Sequence, residues 1–181
     1  MSNIIAGNNF IAAATGGALV LTVNRYTAGT ELLQISPAMI VARYIIEALE
    51  TMTDPSDDDS WPLYIGSSPD GDNVETNIGV MYDTVGIKDG RLMVGSVIQH
   101  FGIQLRIRSR DYEDGYEKIE SVASDLDAIL YETIEINTEE YRIENLSRTS
   151  AIIALGLEQN TTKRRFLFTV NFLATLKEIS A

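Results

Sequence analysis

The side chains best suited to acid–base or metal chemistry are few in this sequence. His100, between Gln99 and Phe101, is the only histidine, and the chain contains no cysteine. A catalytic triad would need His100 beside a nucleophile and an orienting carboxylate, and the Gly-x-Ser-x-Gly motif of one common nucleophile is absent. A multi-histidine or thiolate metal centre is excluded within one chain. We therefore interpret His100 as a structural residue and predict a protein that is not an enzyme, with no catalytic, cofactor-binding or metal site.

Carboxylates are abundant instead, and one acidic run has the residue types of a calcium site. Residues 54–76 hold seven Asp or Glu side chains and no Lys or Arg. Neither Asp57-Asp58-Asp59 nor Asp70-Gly71-Asp72 has the alternate oxygen ligands and distant bidentate Glu of an EF-hand loop. The glycine runs Gly16-Gly17 and Gly66-Ser67-Ser68 lack the Walker lysine and the dinucleotide fingerprint. A solvated acidic loop is the better interpretation of 54–76.

Two basic clusters could bind either nucleic acid or the acidic surface of a neighbouring subunit. The first is Arg106, Arg108 and Arg110, which alternate along a predicted strand and so project from one face, and the second is Lys163-Arg164-Arg165. Residues 111–144 carry twelve acidic side chains and two basic ones, so charge pairing within or between subunits is favoured over nucleic acid. Guanidinium groups suit such contacts because their planar fork matches a carboxylate. The predicted subunit-interface residues combine both charges: Arg106, Arg108, Arg110, Asp111, Glu113, Lys163, Arg164 and Arg165.

Composition limits the class of protein. The chain has 181 residues, a formal net charge of −12 and 45% hydrophobic residues, which indicates one folded domain with room for an arm. The acidic balance argues against a conventional DNA-binding protein. Residues 1–14 lack the basic start of a secretory signal, and no apolar run is long enough to span a membrane. We expect a soluble, intracellular protein.

Two helices are predicted. The first begins at Ser36-Pro37, because Ser caps free amides and Pro is tolerated in the first turn, and it should end near Met52, before Asp54-Pro55. Arg43 and Glu47 are spaced to pair on its surface. Its buried stripe is predicted to comprise Val41, Tyr44, Ile45, Ala48, Leu49 and Met52.

The second helix is capped by Ser109 or Asp111. Acidic residues in its first turn favour the positive end of the helix dipole. Gly115 within the helix suggests a close packing contact, since glycine costs about 1 kcal/mol there relative to alanine. Its apolar stripe is predicted to comprise Tyr112, Tyr116, Ile119, Val122, Ala123, Leu126, Ile129 and Leu130.

The other segments have strand patterns. Strands are predicted at 61–65, 78–87, 91–99, 103–108, 133–136, 140–145, 151–158 and 164–176. Lys88-Asp89-Gly90 is the expected hairpin turn, Gly102 an expected break, and 164–176 a central strand because both its faces are apolar. The predicted fold class is α+β, a mostly antiparallel sheet with two main helices packed on it. Residues 1–36 form an extended N-terminal arm with one strand near Ala18–Arg25, and residues 37–181 form the domain.

One stretch of sequence resembles a known family. The motif consists of an Asp89-Gly90-Arg91 turn, a strand with Gln104, Arg106 and Arg108, and a helix start with Asp111, Tyr112, Gly115 and Tyr116. It resembles the small tail-terminator, or minor capsid, proteins of long-tailed bacteriophages. The order of elements fits from about residue 37 to the end, and the motif itself covers about 89–130.

The resemblance implies a structural virion protein at the head–tail junction, assembled in the host cytoplasm. Such proteins form a homo-hexameric ring that stops the tail tube and joins it to the head connector or stopper. DNA passes through the channel without being held, which suits an acidic protein. The alternatives are another neck or tail ring protein, such as a head-completion or stopper protein or a tail-tube subunit, and an acidic oligomeric adaptor module. The arm at 1–36 is expected to become ordered only against neighbouring subunits.

Overall fold

The structure is a computed structural model of the chain. It describes residues 9–15, 18–24, 33–57, 60–69, 77–91, 97–158 and 164–179. The chain divides into two compact units, one of residues 1–32 and 89–98 and the other of residues 33–88 and 99–181. The inclusion of 89–98 in the first unit was not foreseen from the sequence.

The first unit contains a two-stranded antiparallel sheet. Its strands are β1 (Asn9–Thr15) and β2 (Ala18–Asn24), and Asn9 pairs with Asn24 while Thr15 pairs with Ala18. The predicted strand near Ala18–Arg25 is confirmed. The extended arm was an incomplete description, because β1 pairs along the whole of β2. The predicted turn at Gly16-Gly17 lies outside the described residues.

The first helix, α1 (Pro37–Tyr44), begins as predicted. The Ser36 hydroxyl accepts a hydrogen bond from the Met39 amide at 3.1 Å, and Pro37 occupies the first turn. A π-helical turn at Ile45–Leu49 follows, and Glu50 ends it in the left-handed conformation with φ 50°. The helix therefore ends slightly before the expected position near Met52.

The π-helical turn also changes which side chains are buried. Val41, Tyr44 and Ile45 are buried as predicted, but Ala48 is exposed. A π-helical turn has more residues per turn than an α-helix, so later side chains rotate out of the stripe. The weak surface pair between Arg43 and Glu47 is confirmed at 3.6 Å.

Seven strands form the larger sheet. They are β3 (Leu63–Ile65), β4 (Ile78–Arg91), β5 (Val97–Ser109), β6 (Leu130–Ile136), β7 (Glu139–Arg148), β8 (Ile153–Leu157) and β9 (Phe166–Ile179). The strand order is β3-β4-β5-β9-β7-β6, with β8 beside β9. The pairs that β9 makes with β5, β7 and β8 are antiparallel, as is β6–β7, whereas β3–β4 is parallel. The central position of the last strand and the α+β class are both confirmed.

The strands around the predicted hairpin turn are longer than expected. Lys88, Asp89 and Gly90 lie inside β4, which runs to Arg91, so the prediction of a turn there was wrong. Gly90 does adopt the positive φ, 74°, that the Asp-Gly pair suggested. Gly102 does not break β5, which continues through it to Ser109. A Cβ at this position would collide with the Val85 carbonyl of the adjacent strand. Its lack of a side chain permits close approach.

The second helix, α2 (Tyr112–Asp127), is capped by Asp111 rather than Ser109. One Asp111 carboxylate oxygen accepts a hydrogen bond of 2.9 Å from the Glu113 amide. The middle of the predicted stripe is fully buried, but Tyr112 and Tyr116 remain 45% and 43% exposed. Leu130, at the end of that stripe, is 61% exposed and already belongs to β6.

Both helices contribute to one core on the same side of the sheet, here called the helix face. It includes the inward side chains of β5 and β9: Ile103, Leu105, Ile107, Phe168, Val170 and Phe172. Because strand side chains alternate, their neighbours project to the opposite side, called the open face: Gln104, Arg106, Arg108, Thr169 and Asn171. The predicted alternation of β5 is confirmed.

Replacing Gly115 with Ala tests the packing of α2 on β9. Alanine would favour the helix by about 1 kcal/mol, but its Cβ would lie 2.6 Å from Phe168 Cε2 and 2.7 Å from Ser109 Cβ. Neither neighbour can retreat easily, because both residues are completely buried. Overpacking costs about 1–3 kcal/mol. We expect the free energy of unfolding, measured with urea, to fall by about 1 kcal/mol.

The matched control for this variant is Ser121→Ala, at an exposed position of the same helix. It should leave stability unchanged or raise it slightly, since alanine is the better helix former. A Gly115→Ala chain as stable as the parent would contradict the close packing.

Candidate subunit-interface surfaces

Arg106 stands in a polar ladder on the open face. Gln104 Nε2 donates to Asn171 Oδ1 at 3.0 Å, and Arg106 Nη2 donates to Gln104 Oε1 at 3.4 Å. The Arg106 guanidinium also lies over the Tyr82 ring, 5.3 Å from its centroid. Among the described residues, no carboxylate lies within ion-pair distance of Arg106. The half-buried cation is therefore held in place without a counter-charge in the described part of the chain.

Arg108 has a different role, although it lies on the same face of the same strand. It is only 2% exposed. Both terminal nitrogens donate to the Pro69 carbonyl at 3.3 Å, and one also donates to the Ser68 hydroxyl at 3.3 Å. Arg108 was predicted to meet a neighbouring subunit, whereas the structure places its guanidinium against Ser68 and Pro69 of its own chain.

Arg110 lies beyond the end of β5, so the predicted strand alternation extends only to Arg106 and Arg108. Its side chain is exposed, and its amide donates to Asn77 Oδ1 at 2.9 Å. Asp111 is committed to capping α2, whereas Glu113 is exposed. Arg110 and Glu113 thus remain accessible to a partner.

The N-terminal half of α2 presents three exposed carboxylates, Glu113, Asp114 and Glu117, here called the acidic helix surface. The one lysine of the helix does not neutralise them. Lys118 Nζ donates to the Thr51 carbonyl and lies 5.6 Å from the centre of the Trp61 ring. Burial lowers the pKa of Lys118, partly opposed by the negative charge of Asp125. Lys118 thus serves the internal packing of the helix.

Part of the negative charge in the C-terminal half of α2 is balanced within the chain. Arg148 Nη2 lies 2.9 Å from a carboxylate oxygen of Asp127, and its Nη1 lies 3.4 Å from a carboxylate oxygen of Glu120. These ion pairs join β7 to the helix. Glu120 and Asp127 therefore have a cation within the chain, whereas Glu113, Asp114 and Glu117 have no ion pair among the described residues.

Arg106 and the acidic helix surface lie on opposite sides of the sheet. Arg106 is opposite Thr169 in the β5–β9 register, so both project to the open face. The next residue, Phe168, projects to the helix face and contacts Tyr112 of α2 with ring centroids 5.1 Å apart. One subunit therefore carries, on one side, a cation with no ion pair among the described residues and, on the other side, a group of carboxylates.

The second predicted basic cluster is divided by the structure. Lys163 lies outside the described residues. Arg164 is exposed, with its guanidinium 5.4 Å from the centre of the Phe166 ring. Arg165 is 2% exposed, and its Nη1 lies 3.5 Å from Glu158 Oε2. Of the described pair, Arg164 is available to a partner and Arg165 is part of the interior.

A separate ionic network lies at the far end of the open face. Glu144 Oε1 lies 2.7 Å from Lys177 Nζ and 3.0 Å from Arg142 Nη2. Burial by itself would raise the pKa of Glu144, but hydrogen bonds and attraction from Lys177 and Arg142 outweigh it and lower the pKa below its ordinary value of 4.5. The network fixes the end of β9 against β7.

Glu144→Gln is expected to destabilise the chain by about 1 kcal/mol at pH 7, because the pair is partly exposed. A carboxyl whose folded pKa is depressed stabilises the fold above its unfolded pKa and loses that effect as pH falls through the folded pKa. The difference between parent and variant should therefore shrink below pH 4.5. Thermal melts across pH 3–7 measure it. Exposed Glu140 on the same strand provides the control variant Glu140→Gln, and a pH-independent difference for Glu144→Gln would contradict the network's role.

His100 and the acidic runs were the other candidates for chemistry. His100 Nδ1 lies 2.8 Å from Thr175 Oγ1, linking β5 to β9. Within the described residues, no group of three or more His, Asp or Glu side chains could hold a metal ion. Asp57 is exposed, whereas Asp58, Asp59 and the Asp70-Gly71-Asp72 run lie outside the described part of the chain. Also among described residues, no helix is both long and apolar enough to cross a bilayer.

Sequence reasoning missed the exposed apolar side chains. Ile153, Leu155 and Leu157 of β8 are 47%, 50% and 45% exposed. Residues 149–157 contain no charged side chain, and such a pattern is as typical of a buried strand as of an exposed one. The side of β8 without a neighbour became evident only from the strand order.

No protein-family model matches the chain, and no curated protein matches it. What the protein does must therefore be inferred from its own surfaces.

Proposed function

We propose that this chain is a structural virion protein, a tail terminator that assembles into a homo-oligomeric ring of six copies. The ring caps the tail tube and joins it to the head connector or stopper. The observation that carries the proposal is the pair of opposite charges on opposite sides of one subunit, Arg106 on the open face and the acidic helix surface behind it. The resemblance of residues 89–116 to tail terminators supports the same function.

A ring requires two different patches on each subunit. In cyclic assemblies with head-to-tail contacts, one patch of a subunit meets the other patch of the next. The open face of one copy would meet the acidic helix surface of the next, so that Arg106 gains the carboxylate partner it lacks among the described residues of its own chain. Charge complementarity of this kind sets orientation and rejects wrong pairings.

The remaining acidity suits a DNA channel. The formal net charge of each copy is −12, and the β6–β7 end adds exposed Glu135 and Glu140 to the carboxylates of α2. A surface of one sign creates a potential that repels like charge. DNA would pass such a ring without specific binding, and the proteins held by the ring would be the tail tube and the head connector.

The proposal is tested by light scattering, negative-stain microscopy and binding to tail tubes isolated without their terminator. We expect closed rings that bind one end of the tubes. A strict monomer at high protein concentration that leaves tubes unbound would contradict the proposal. Rings that bind head connectors but not tubes would favour a stopper, and growth along tubes would favour a tail-tube subunit.

A further inference from the structure

The free edge of β8 is a site for strand pairing. β8 pairs with β9 on one side, from Ile153 opposite Thr169 to Leu157 opposite Phe166. On its other side no strand of the described chain is paired. All five residues of β8, Ile-Ala-Leu-Gly-Leu, are exposed. Unpaired N–H and C=O groups on such an edge are a template for another strand.

The other open edges of the sheet carry features that discourage pairing. β6 has Glu132 and Glu135 on its edge, both exposed, and β3 is only three residues long. Charges and short length are common protections against edge-to-edge association. β8 has neither a charge nor a proline. Its register shift against β9 between Ala154 and Gly156 interrupts the edge, so the length available to a partner strand is short.

The β1–β2 sheet has the properties of the missing partner. It consists of two strands of seven residues each, so either strand is long enough to pair along the five residues of β8. The sequence contains no charge before Arg25, so an uncharged segment would meet an uncharged edge. A two-stranded sheet by itself is only marginally stable in water and gains from a third strand.

We propose that the edge of β8 pairs with the β1–β2 hairpin of a second copy, so that neighbouring subunits share a continuous sheet. The proposal rests on the proposed function in assuming a closed ring of copies. In that ring the hairpin contact adds main-chain hydrogen bonds and apolar burial to the charge contact of Arg106. Strand addition of this kind gives affinity through the backbone and specificity through alternate side chains.

Cysteine cross-linking tests the contact directly, because the chain contains no cysteine of its own. Leu21→Cys in β2 and Leu155→Cys in β8 are combined in one chain and treated with a flexible bismaleimide. A head-to-tail contact between copies should give a ladder on a denaturing gel, whose top band counts the subunits. The matched control pairs Leu21→Cys with Thr133→Cys, an exposed position on the protected edge β6, and should give no ladder.

The outcomes separate this contact from the proposed function. Rings in the microscope with no ladder would overturn the β8 contact and leave the function standing. Cross-linking confined to one chain would also overturn it. Its signs would be a monomer of altered mobility and, when a tagged chain with only Leu21→Cys is mixed with an untagged chain with only Leu155→Cys, no cross-link between the two. A monomer without ladder or rings at high concentration would overturn both.

A charged edge provides the second measurement. Leu155→Lys should weaken association at least about tenfold, since a lysine protects an edge strand, while Thr133→Lys should leave association unchanged. Both side chains are exposed, so thermal melts of the monomers should agree with the parent. Full assembly of a correctly folded Leu155→Lys chain would overturn the proposal.

Discussion

A chain carrying Arg106→Glu is expected to remain folded and to lose its ability to form rings. In the proposed assembly Arg106 faces the carboxylates of Glu113, Asp114 and Glu117 on the next copy. Reversing its charge replaces attraction by repulsion, and juxtaposed like charges cost several kcal/mol. A cost of only about 3 kcal/mol per interface weakens association more than roughly hundredfold. Light scattering as a function of protein concentration measures the change.

The fold should tolerate this substitution. Inside the subunit Arg106 makes a long hydrogen bond to Gln104 and lies over the Tyr82 ring. A partly exposed cation–π contact is worth about 0.5–1 kcal/mol, so the monomer should lose no more than about 1–2 kcal/mol. A melting temperature only a few degrees below that of the parent would separate lost assembly from lost folding.

A reciprocal variant makes this prediction sharper. Glu117→Arg, at an exposed position of the acidic helix surface, should also impair assembly, and the double variant Arg106→Glu with Glu117→Arg should recover part of it. Recovery measures the coupling between the two positions by a double-mutant cycle. Arg106→Gln, which removes charge without reversing it, should have an intermediate effect. Unimpaired rings of Arg106→Glu would show that the charge contact is wrong.

Local signals in the sequence were sufficient for most of the fold. Ser36 and Pro37 start α1, because side-chain capping and a fixed φ act within one helical turn. The two apolar faces of β9 identified the central strand, since only a strand covered on both sides buries both sets of side chains. These features depend on residues that are close in the sequence, so they can be recognised from the sequence alone.

Features that depend on distant segments were not predictable in the same way. Asp89-Gly90 indicated a positive φ correctly, but Gly90 adopts it within a strand that continues to Arg91. Whether such a pair turns the chain depends on the strands on either side. The edge of β8 likewise has the same sequence pattern whether a neighbour covers it or not. Its exposure follows from the strand order, which is a property of the whole sheet.

The two arginines of β5 illustrate the same limit for the candidate interface. Arg106 and Arg108 are both arginines, two residues apart and on one face of a strand, so the sequence predicts the same role for both. Ser68 and Pro69 contact the Arg108 guanidinium, whereas Arg106 remains partly exposed. A simultaneous charge reversal of both arginines would test assembly alone if both were exposed. The burial of Arg108 makes that double variant a test of folding as well.

Arg108→Glu is accordingly expected to destabilise the monomer itself. The Pro69 carbonyl and the Ser68 hydroxyl now receive hydrogen bonds from the guanidinium, and a carboxylate cannot donate to the carbonyl. Two acceptors would face each other in a site that is almost completely buried, where an uncompensated charge is strongly unfavourable. We expect a loss of at least about 3 kcal/mol, which lowers the melting temperature by roughly 10 °C for a chain of this size.

Conservative replacement distinguishes the charge of Arg108 from its hydrogen-bonding geometry. Arg108→Lys keeps the cation but cannot reproduce the planar fork that donates to Pro69 through two nitrogens. It should cost about 1–2 kcal/mol, well below the cost of Arg108→Glu, and rings should still form from the folded fraction. Calorimetric melts of Arg106→Glu and Arg108→Glu monomers, measured side by side, provide the decisive comparison. Equal melting temperatures for these two variants would contradict the role of Arg108 in holding Ser68 and Pro69 against the sheet, because replacing a buried, hydrogen-bonded guanidinium should cost much more than replacing a partly exposed one.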